Sequence, residues 1–209
     1  MERGYRLIAV EGVDGSGKST LVENLREHLS RNFRTEIARP ARAMTAAFRE
    51  LAEKGRPESV LYQDRIPPDF RHSAYLLETA VHFRYRREQF EHADFVLFDR
   101  WLQTWQAYCD EVVEHRDWMS RIAATTPEPD VLLWVRIDPE TACRRLVERQ
   151  DRWARIYSPA QLHDKIARLC DRYEKAMLDT RPGAVVLDGT RSPGELLAGA
   201  LDRVTGKAA

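Results

Sequence analysis

The 209-residue sequence has no net charge, no long apolar run and few lysines or cysteines. Basic and acidic residues number 33 each, which excludes a general nucleic-acid binder, because such proteins need a basic surplus. No stretch approaches the roughly 20 apolar residues that cross a bilayer, and the start of the chain lacks a signal-peptide pattern. These absences predict a soluble, cytoplasmic protein that binds neither membrane nor nucleic acid.

Cysteine and lysine are scarce in ways that bear on chemistry. Cys109, Cys143 and Cys170 are far apart and form no CxxC pair, so the sequence predicts buried thiols rather than a disulfide framework or a zinc site. Only five basic residues are lysine, which leaves 28 arginines. Genome base composition explains such a bias, and a need for two-pronged phosphate contacts is the alternative explanation.

Apolar runs alternate along the chain with stretches of helical periodicity. The runs predict buried strands at 5–10, 95–98 and 131–137, with weaker candidates at 35–38 and 184–187. The periodic stretches predict helices at 19–29, 74–92, 139–149, 159–178 and 194–204. The segment 55–70, which is rich in proline, is predicted to be an ordered loop at the rim of the fold rather than a domain boundary. Such alternation predicts a parallel sheet covered on both faces, with ligands at the carboxyl ends of the strands.

A phosphate-binding motif follows the first predicted strand. Residues 12–19 fit G-x-x-x-x-G-K-[ST] between a strand and a helix, which is the context that the motif requires. Its backbone amides would wrap phosphate oxygens, Lys18 would bridge the β- and γ-phosphates of ATP, and the Ser19 hydroxyl would bind Mg²⁺. The predicted ATP- and phosphate-binding residues are Gly12, Val13, Asp14, Gly15, Ser16, Gly17, Lys18, Ser19 and Thr20. We therefore expect one P-loop NTPase-type domain over residues 1–209, a three-layer α/β/α fold with a five-stranded parallel sheet.

Residues 11–20, EGVDGSGKST, closely resemble the phosphate loop of the thymidylate kinase family. Asp99-Arg100-Trp101 resembles the Asp-Arg-aromatic motif of that family, and Thr104, Ala107 and Tyr108 follow at the spacing of its Ser/Asn…Ala-Tyr segment. Residues 129–140 resemble its fourth strand, which precedes the lid. The resemblance covers nearly the whole chain and implies a nucleoside monophosphate kinase that uses ATP and Mg²⁺ and forms a homodimer.

A carboxylate and an arginine end the third predicted strand. Asp99 lies where it can reach a Mg²⁺-bound water or orient an acceptor, and Arg100 could hold the phosphate of the acceptor. Taken alone, Asp99 could equally cap a helix and Arg100 could be a surface charge. With the phosphate loop and the resemblance beside them, we assign Asp99 to the metal site and both residues to catalysis.

An arginine-rich segment, about 144–158, resembles the lid that closes over ATP in this family. The stretch 144–155 holds five arginines and two acidic residues. One subgroup of the family carries a catalytic arginine in the phosphate loop, whereas the other has glycine there and supplies arginine from the lid. Gly15 stands at that position, so the resemblance implies a lid arginine, with Arg149 and Arg152 as the matching residues. The alternative is a solvated helix terminus.

The acceptor side departs from the family pattern. Asp14 and Arg39 match positions near the acceptor, although Glu-Pro is commoner in the family than Arg39-Pro40. Glu78 replaces the aromatic residue that stacks on thymine, and a shifted alignment recruits Phe83 and either Arg84 or Arg86 instead. Trp105 replaces a small polar residue beside the base. The predicted acceptor-binding residues are Asp14, Arg39, Phe83, Arg84, Arg100, Trp105 and Tyr108. For Phe83 and Trp105 the alternative is packing in the core.

These observations predict transfer of the γ-phosphoryl group of Mg·ATP to a pyrimidine deoxynucleoside monophosphate, such as dTMP or a modified relative. Two alternatives stay open. One is a P-loop kinase that phosphorylates a hydroxyl of a nucleoside or specialised metabolite. The other is a non-catalytic regulatory module that binds ATP. Arginines at 84–87, 100 and 144–155 predict that the site is locally positive although the chain is neutral.

Overall fold

The computed structural model describes residues 3–39, 42–54, 61–109, 116–180 and 183–206. Its five strands are β1 Arg6–Glu11, β2 Thr35–Ala38, β3 Phe95–Asp99, β4 Val131–Arg136 and β5 Val185–Asp188. Its helices are α1 Lys18–Leu29, α2 Ala43–Glu53, α3 Pro68–Tyr85, α4 Arg87–Glu91, α5 Leu102–Tyr108, α6 Arg116–Ala123, α7 Pro139–Glu148, α8 Arg152–Ile156, α9 Pro159–Thr180 and α10 Pro193–Val204. A 3-10 turn, Tyr62–Asp64, precedes α3.

The sheet confirms the predicted α/β class. All five strands are parallel, in the order β2-β3-β1-β4-β5. Val10 of β1 pairs with Asp99 of β3, so the phosphate loop and the Asp99-Arg100 pair emerge side by side. The fold is therefore of P-loop NTPase type, and its carboxyl edge carries the predicted chemistry.

Helices cover the two faces of the sheet. On one face α1 and α10 pack through side chains such as Leu21, Leu25 and Leu196 against β1 and β4. On the other face an aromatic cluster that includes Phe83, Phe90, Phe98 and Trp101 joins α3 and α4 to β3. The apolar stripe of α9 packs on α7 and α5. Ser158 and Gln161 exchange hydrogen bonds at the start of α9 and so form a capping box.

Several predicted boundaries are wrong. The expected helix 74–92 begins earlier, at Pro68, and is divided at Arg86 into α3 and α4. The expected loop 55–70 consequently ends in a 3-10 turn and the first turn of α3, where Pro68 takes a position that needs no amide donor. Residues 55–60 of that loop lie outside the described residues. Helix α2 was not predicted; Met44, Ala47, Phe48 and Leu51 recur along it at three- and four-residue steps, but its buried residues are Thr45 and Glu53.

Two predictions drawn from composition concern the burial of the three cysteines and the absence of a membrane-spanning segment. Cys109 is buried, and Cys143 and Cys170 are half-buried free thiols. In the described ranges, no helix is both long and apolar enough to cross a membrane.

Candidate active site

The phosphate loop joins β1 to α1 at the carboxyl edge of the sheet. Gly12 has a φ of 150°, and a Cβ placed on it would lie 2.6 Å from Ser16 Oγ and 2.7 Å from the Val135 carbonyl. Gly17 precedes α1 with a φ of 98°, in the left-handed region that glycine favours. The Ser16 hydroxyl is buried and has no partner among the described residues. The loop thus turns tightly at the amino end of α1, where backbone amides attract anions.

Lys18 lies inside this loop rather than in solvent. Its ammonium donates to the Val13 carbonyl at 3.2 Å and lies 3.5 Å from Asp14 Oδ1. Only 5% of its surface is exposed. Burial, together with the nearby charge of Arg100, lowers the pKa of Lys18 to about 8. The protein therefore holds a cation that is poorly solvated without a ligand and that phosphate oxygens would stabilise.

A charged cluster links the phosphate loop to β3. Arg100 forms an ion pair with Asp14, and the Tyr108 hydroxyl donates to the other oxygen of Asp14 at 2.6 Å. Although burial acts in the opposite direction, Arg100, Lys18 and Tyr108 hold the pKa of Asp14 well below its usual value. Arg100 has a φ of 77°, which is uncommon for a residue with a side chain and is often found at functional sites.

Ser19 and Asp99 meet beside the loop, as a magnesium site would require. The Ser19 hydroxyl donates to Asp99 Oδ2 at 3.1 Å, and Arg39 Nε lies 3.4 Å from the same oxygen. Asp99 Oδ1 is buried and has no partner among the described residues. A hydroxyl with a single carboxylate suits Mg²⁺, which keeps several waters and uses substrate phosphates as ligands. In the described part of the chain no cluster of three metal-ligating side chains occurs.

Glu11, which the sequence reasoning passed over, fixes the segment after Asp99. Its fully buried carboxylate accepts from the amides of Trp101 at 2.8 Å and Thr104 at 2.9 Å, and from the Thr104 hydroxyl. The Tyr173 hydroxyl lies 3.3 Å away. Burial raises the pKa of Glu11 although these hydrogen bonds oppose the effect. Glu11 thus caps the amino end of α5 and holds Arg100 and Thr104 at the site.

The arginine-rich segment contacts both the loop and the opposite wall. Arg145 donates to the carbonyls of Gly15 and Ser16 at 3.3 and 3.4 Å, a role that sequence reasoning did not assign to it. Arg149 pairs with Asp151 at 2.8 Å. Arg152 pairs at 2.7 Å with Glu53 at the end of α2. The predicted lid therefore spans from the phosphate loop to α2.

Gly15 leaves no room for an arginine within the loop. Its φ is 89°, and a Cβ placed on it would lie 2.7 Å from the carbonyl oxygen of Ala142 in α7. A side chain at this position would clash with backbone, which cannot rotate away. Any arginine that approaches the phosphates must therefore come from elsewhere, and Arg145 already touches the loop.

A cavity of about 360 Å³ opens from the Asp14–Arg100 pair toward α2 and α3. Its walls include Tyr108, Trp105 and Thr104 from α5 and Arg152 from α8. Tyr75 of α3 stacks on Trp105 with ring centroids 4.2 Å apart, and it forms a hydrogen bond with Tyr62. The cavity is large enough for a small ligand and has arginines at the end nearest the phosphate loop.

Two of the predicted acceptor residues lie away from this cavity, which corrects those expectations. Phe83 stacks on Phe98 and meets Phe90 and Trp101 edge-on or tilted, so its ring is used in the core. Arg84 is exposed and does not line the cavity. Its neighbours in the 84–87 cluster pair with acidic residues away from the loop, so this cluster does not contribute positive charge to the site. Of the five remaining predicted residues, Asp14, Arg100, Trp105 and Tyr108 line the cavity. Arg39 does not line it and instead pairs with Glu23 and Asp99.

Glu78 occupies the position where the family pattern has a stacking aromatic, and the structure gives it another role. Its Oε1 accepts from the amides of Met44 at 2.6 Å and Thr45 at 3.3 Å, and its Oε2 accepts from the Thr45 hydroxyl at 3.2 Å. Burial raises the pKa of Glu78, against these hydrogen bonds. Glu78 therefore anchors the first turn of α2 to α3 and forms part of the cavity wall.

Comparison with known proteins agrees with this geometry. Residues 10–197 match the sequence profile of the family described as "Thymidylate kinase". The chain belongs to the thymidylate kinase family. It is accordingly an ATP-dependent phosphotransferase of the nucleoside monophosphate kinase type, as the motifs predicted.

Relatives within the thymidylate kinase family are distant in sequence. The "Probable thymidylate kinase 1" of Saccharolobus solfataricus is 24% identical over 177 residues, which cover 83% of this chain and 88% of that protein. The "Thymidylate kinase" of Schizosaccharomyces pombe is 24% identical and covers 90% of this chain and 85% of its own. The "Probable thymidylate kinase" of Methanocorpusculum labreanum is 30% identical, over 68% of this chain and 71% of its own.

Proposed function

We propose that this protein transfers the γ-phosphoryl group of Mg·ATP to the phosphate of a pyrimidine deoxynucleotide, dTMP or a modified relative. The observation that carries the proposal is the contact of Asp14 with Arg100 and Tyr108, which joins the phosphate loop directly to the neighbouring cavity. An acceptor phosphate held by Arg100 in that cavity would lie beside the donor loop. Proximity and neutralised charge are the main requirements for phosphoryl transfer.

Each charged group has a distinct part in this proposal. Lys18 and the loop amides hold the donor phosphates, and Arg100 holds the acceptor phosphate. Ser19 and Asp99 hold Mg²⁺, which when bound neutralises charge on the donor phosphates. Arg149 and Arg152 approach from the lid, about residues 144–158, and Arg145 positions the loop beneath them. Lid closure would keep water from the transferred group.

The proposed identity of the acceptor base rests on family membership and on the residues of the cavity walls. Trp105 and Tyr75 present aromatic surface, whereas Glu78 replaces the usual stacking residue. Those departures favour a modified pyrimidine over dTMP itself. We further propose that residues 1–209 act as one domain, that the protein is a cytoplasmic homodimer as its family resemblance implied, and that it binds no nucleic acid.

A coupled assay of ADP release across nucleosides and nucleoside monophosphates tests this function. We expect turnover with pyrimidine deoxynucleoside monophosphates and none with Lys18→Ala, whose fold should remain intact by circular dichroism. Turnover with nucleosides or other hydroxyl acceptors, but not with monophosphates, would replace the proposal with a hydroxyl kinase. Binding of ATP without turnover on any acceptor would favour a regulatory module.

A further inference from the structure

A second cavity, of about 370 Å³, lies behind the acceptor cavity, and we call it the rear cleft. It is enclosed by the residues that connect the 3-10 turn to α3, by the start of α3, by α9 and by Trp153 of the lid. Gln63, Tyr108 and Trp153 line both cavities and separate them. The phosphate loop does not line the rear cleft, so the donor site does not account for it.

The lining of the rear cleft is strongly basic. Five cationic side chains face a single acidic one, Asp64; the cations are Arg65, Arg71, Lys165, Arg168 and Arg172. The Asp64 carboxylate forms an ion pair with Lys165 at 2.9 Å and accepts a hydrogen bond from the Tyr157 hydroxyl. Arg168 donates from Nε to the Asp164 carbonyl, which leaves its positive charge uncompensated by that contact. Such clusters attract phosphoryl groups, which arginine binds in two-pronged fashion.

Arg71 gives the clearest indication of an anionic ligand. It is 6% exposed, and its guanidinium donates to the carbonyls of Ile66 at 3.0 Å and Tyr108 at 3.1 Å. Within the described ranges, no carboxylate lies at ion-pair distance from it. Carbonyls orient a guanidinium but do not neutralise it, and a buried charge without a counter-charge is costly. A bound anion would supply the counter-charge.

The other walls of the rear cleft indicate the rest of the ligand. Ile66, Pro67, Pro68 and Leu169 provide apolar surface beside the indole of Trp153. Basic residues next to apolar and aromatic surface suit a molecule that carries phosphates on a flat organic body. The volume falls within the range of small-ligand sites.

Tyr108 connects the rear cleft to the active site. Its carbonyl accepts from Arg71, and its hydroxyl donates to Asp14, which pairs with Arg100. We propose that the rear cleft binds a nucleoside polyphosphate and that its occupancy changes the affinity of the adjacent cavity for the acceptor. Thermodynamic linkage requires the acceptor to change affinity in the rear cleft by the same factor.

Calorimetry with inorganic tripolyphosphate tests the binding site without any need for turnover. Wild type should bind two equivalents, Lys18→Ala should keep the rear-cleft site, and the double variant Arg65→Ser/Arg168→Ser should keep the phosphate-loop site. We expect the double variant to weaken rear-cleft binding by roughly tenfold or more, as expected for lost charge-assisted contacts. Arg31→Ser, an exposed arginine after α1, is the matched control and should keep both sites. A single site that Lys18→Ala removes and the double variant leaves intact would overturn the proposal.

Two further measurements test the ligand class and the coupling. In Lys18→Ala, deoxythymidine triphosphate should bind the rear cleft at least as tightly as tripolyphosphate, and weaker binding would overturn the nucleoside assignment. The coupling rests on the proposed function, because it is measured through turnover. After subtraction of competition with ATP, deoxythymidine triphosphate should shift the KM for the acceptor in wild type. It should not shift this KM in Arg65→Ser/Arg168→Ser. Equal shifts in both proteins would overturn the coupling, whereas absent turnover would refute the proposed function and leave the binding result standing.

Discussion

The buried environment of Lys18 predicts that nucleotide binding takes up protons near pH 8. In the protein without bound nucleotide, Lys18 has a pKa of about 8 because its side chain is buried and lies near Arg100. Phosphate oxygens bound in the loop would favour the charged ammonium and raise that pKa. Binding should therefore protonate the fraction of Lys18 that is neutral in the free protein.

The size of this uptake follows from the pKa. A group that titrates at about 8 is half neutral at pH 8 and about one-tenth neutral at pH 7, so uptake should be about half a proton per nucleotide at pH 8 and about a tenth at pH 7. Above pH 8 the kcat/KM for ATP should fall by about tenfold per pH unit, because only protonated Lys18 binds phosphate productively.

Titration calorimetry in two buffers of different ionisation enthalpy measures proton uptake directly. Lys18→Arg is the matched control, because arginine keeps the positive charge and cannot lose it in this pH range. We expect the uptake in wild type and none from this position in the variant. Equal uptake by the two proteins at pH 8, or none by wild type, would refute the assignment of a lowered pKa to Lys18.

Four further substitutions, with Gly194→Ala as a control, test the packing and charge around the site. Gly15→Ala should cost about 3 kcal/mol of unfolding free energy in urea titrations, because it combines a positive φ with a backbone clash, whereas Gly194→Ala, in open space, should be nearly neutral. Equal stability of the two variants would contradict the clash. Glu78→Phe should lower the free energy of unfolding by about 1–3 kcal/mol, because it leaves the first amides of α2 without an acceptor. The same variant should not bind dTMP more tightly. Tighter dTMP binding at unchanged stability would contradict the role of Glu78 as an anchor of α2. Arg152→Lys should lower kcat by about tenfold because a lysine loses the guanidinium contact with Glu53, and Glu53→Gln should have the same effect because it removes the charge of the partner. Unchanged kcat in both variants would exclude a role for their pair.

The sheet and the donor site were predictable because local sequence determines them. A buried strand that runs into GVDGSGKS specifies strand, loop and helix within a few residues, and the structure places Lys18 and Ser19 accordingly. Asp99 could be placed beside them because parallel strands end at a common edge. These inferences needed no knowledge of side-chain packing.

Asp14, Arg100, Trp105 and Tyr108 of the acceptor side were predicted, but the rest of it was not, because it depends on contacts between distant segments. Glu53 pairs with Arg152 across 99 positions of sequence, and it lies on α2, a helix that the sequence analysis did not predict. Helical periodicity placed Phe83 on α3, yet it could not show that this ring faces the sheet and not the cavity. The arginines at 84–87 misled for a similar reason, since proximity in sequence to site residues does not determine the face on which a side chain lies.

Phosphorus-31 NMR of a reaction that contains the protein, Mg·ATP and dTMP tests the central claim most directly, because it identifies the atom that receives the phosphoryl group. The account predicts that the monophosphate resonance of dTMP is replaced by the two coupled resonances of a diphosphate while ATP becomes ADP. A modified pyrimidine deoxynucleotide should give the same pattern, at a rate equal to or higher than that of dTMP. Release of inorganic phosphate from ATP, with every deoxynucleoside monophosphate left unchanged, would contradict the account.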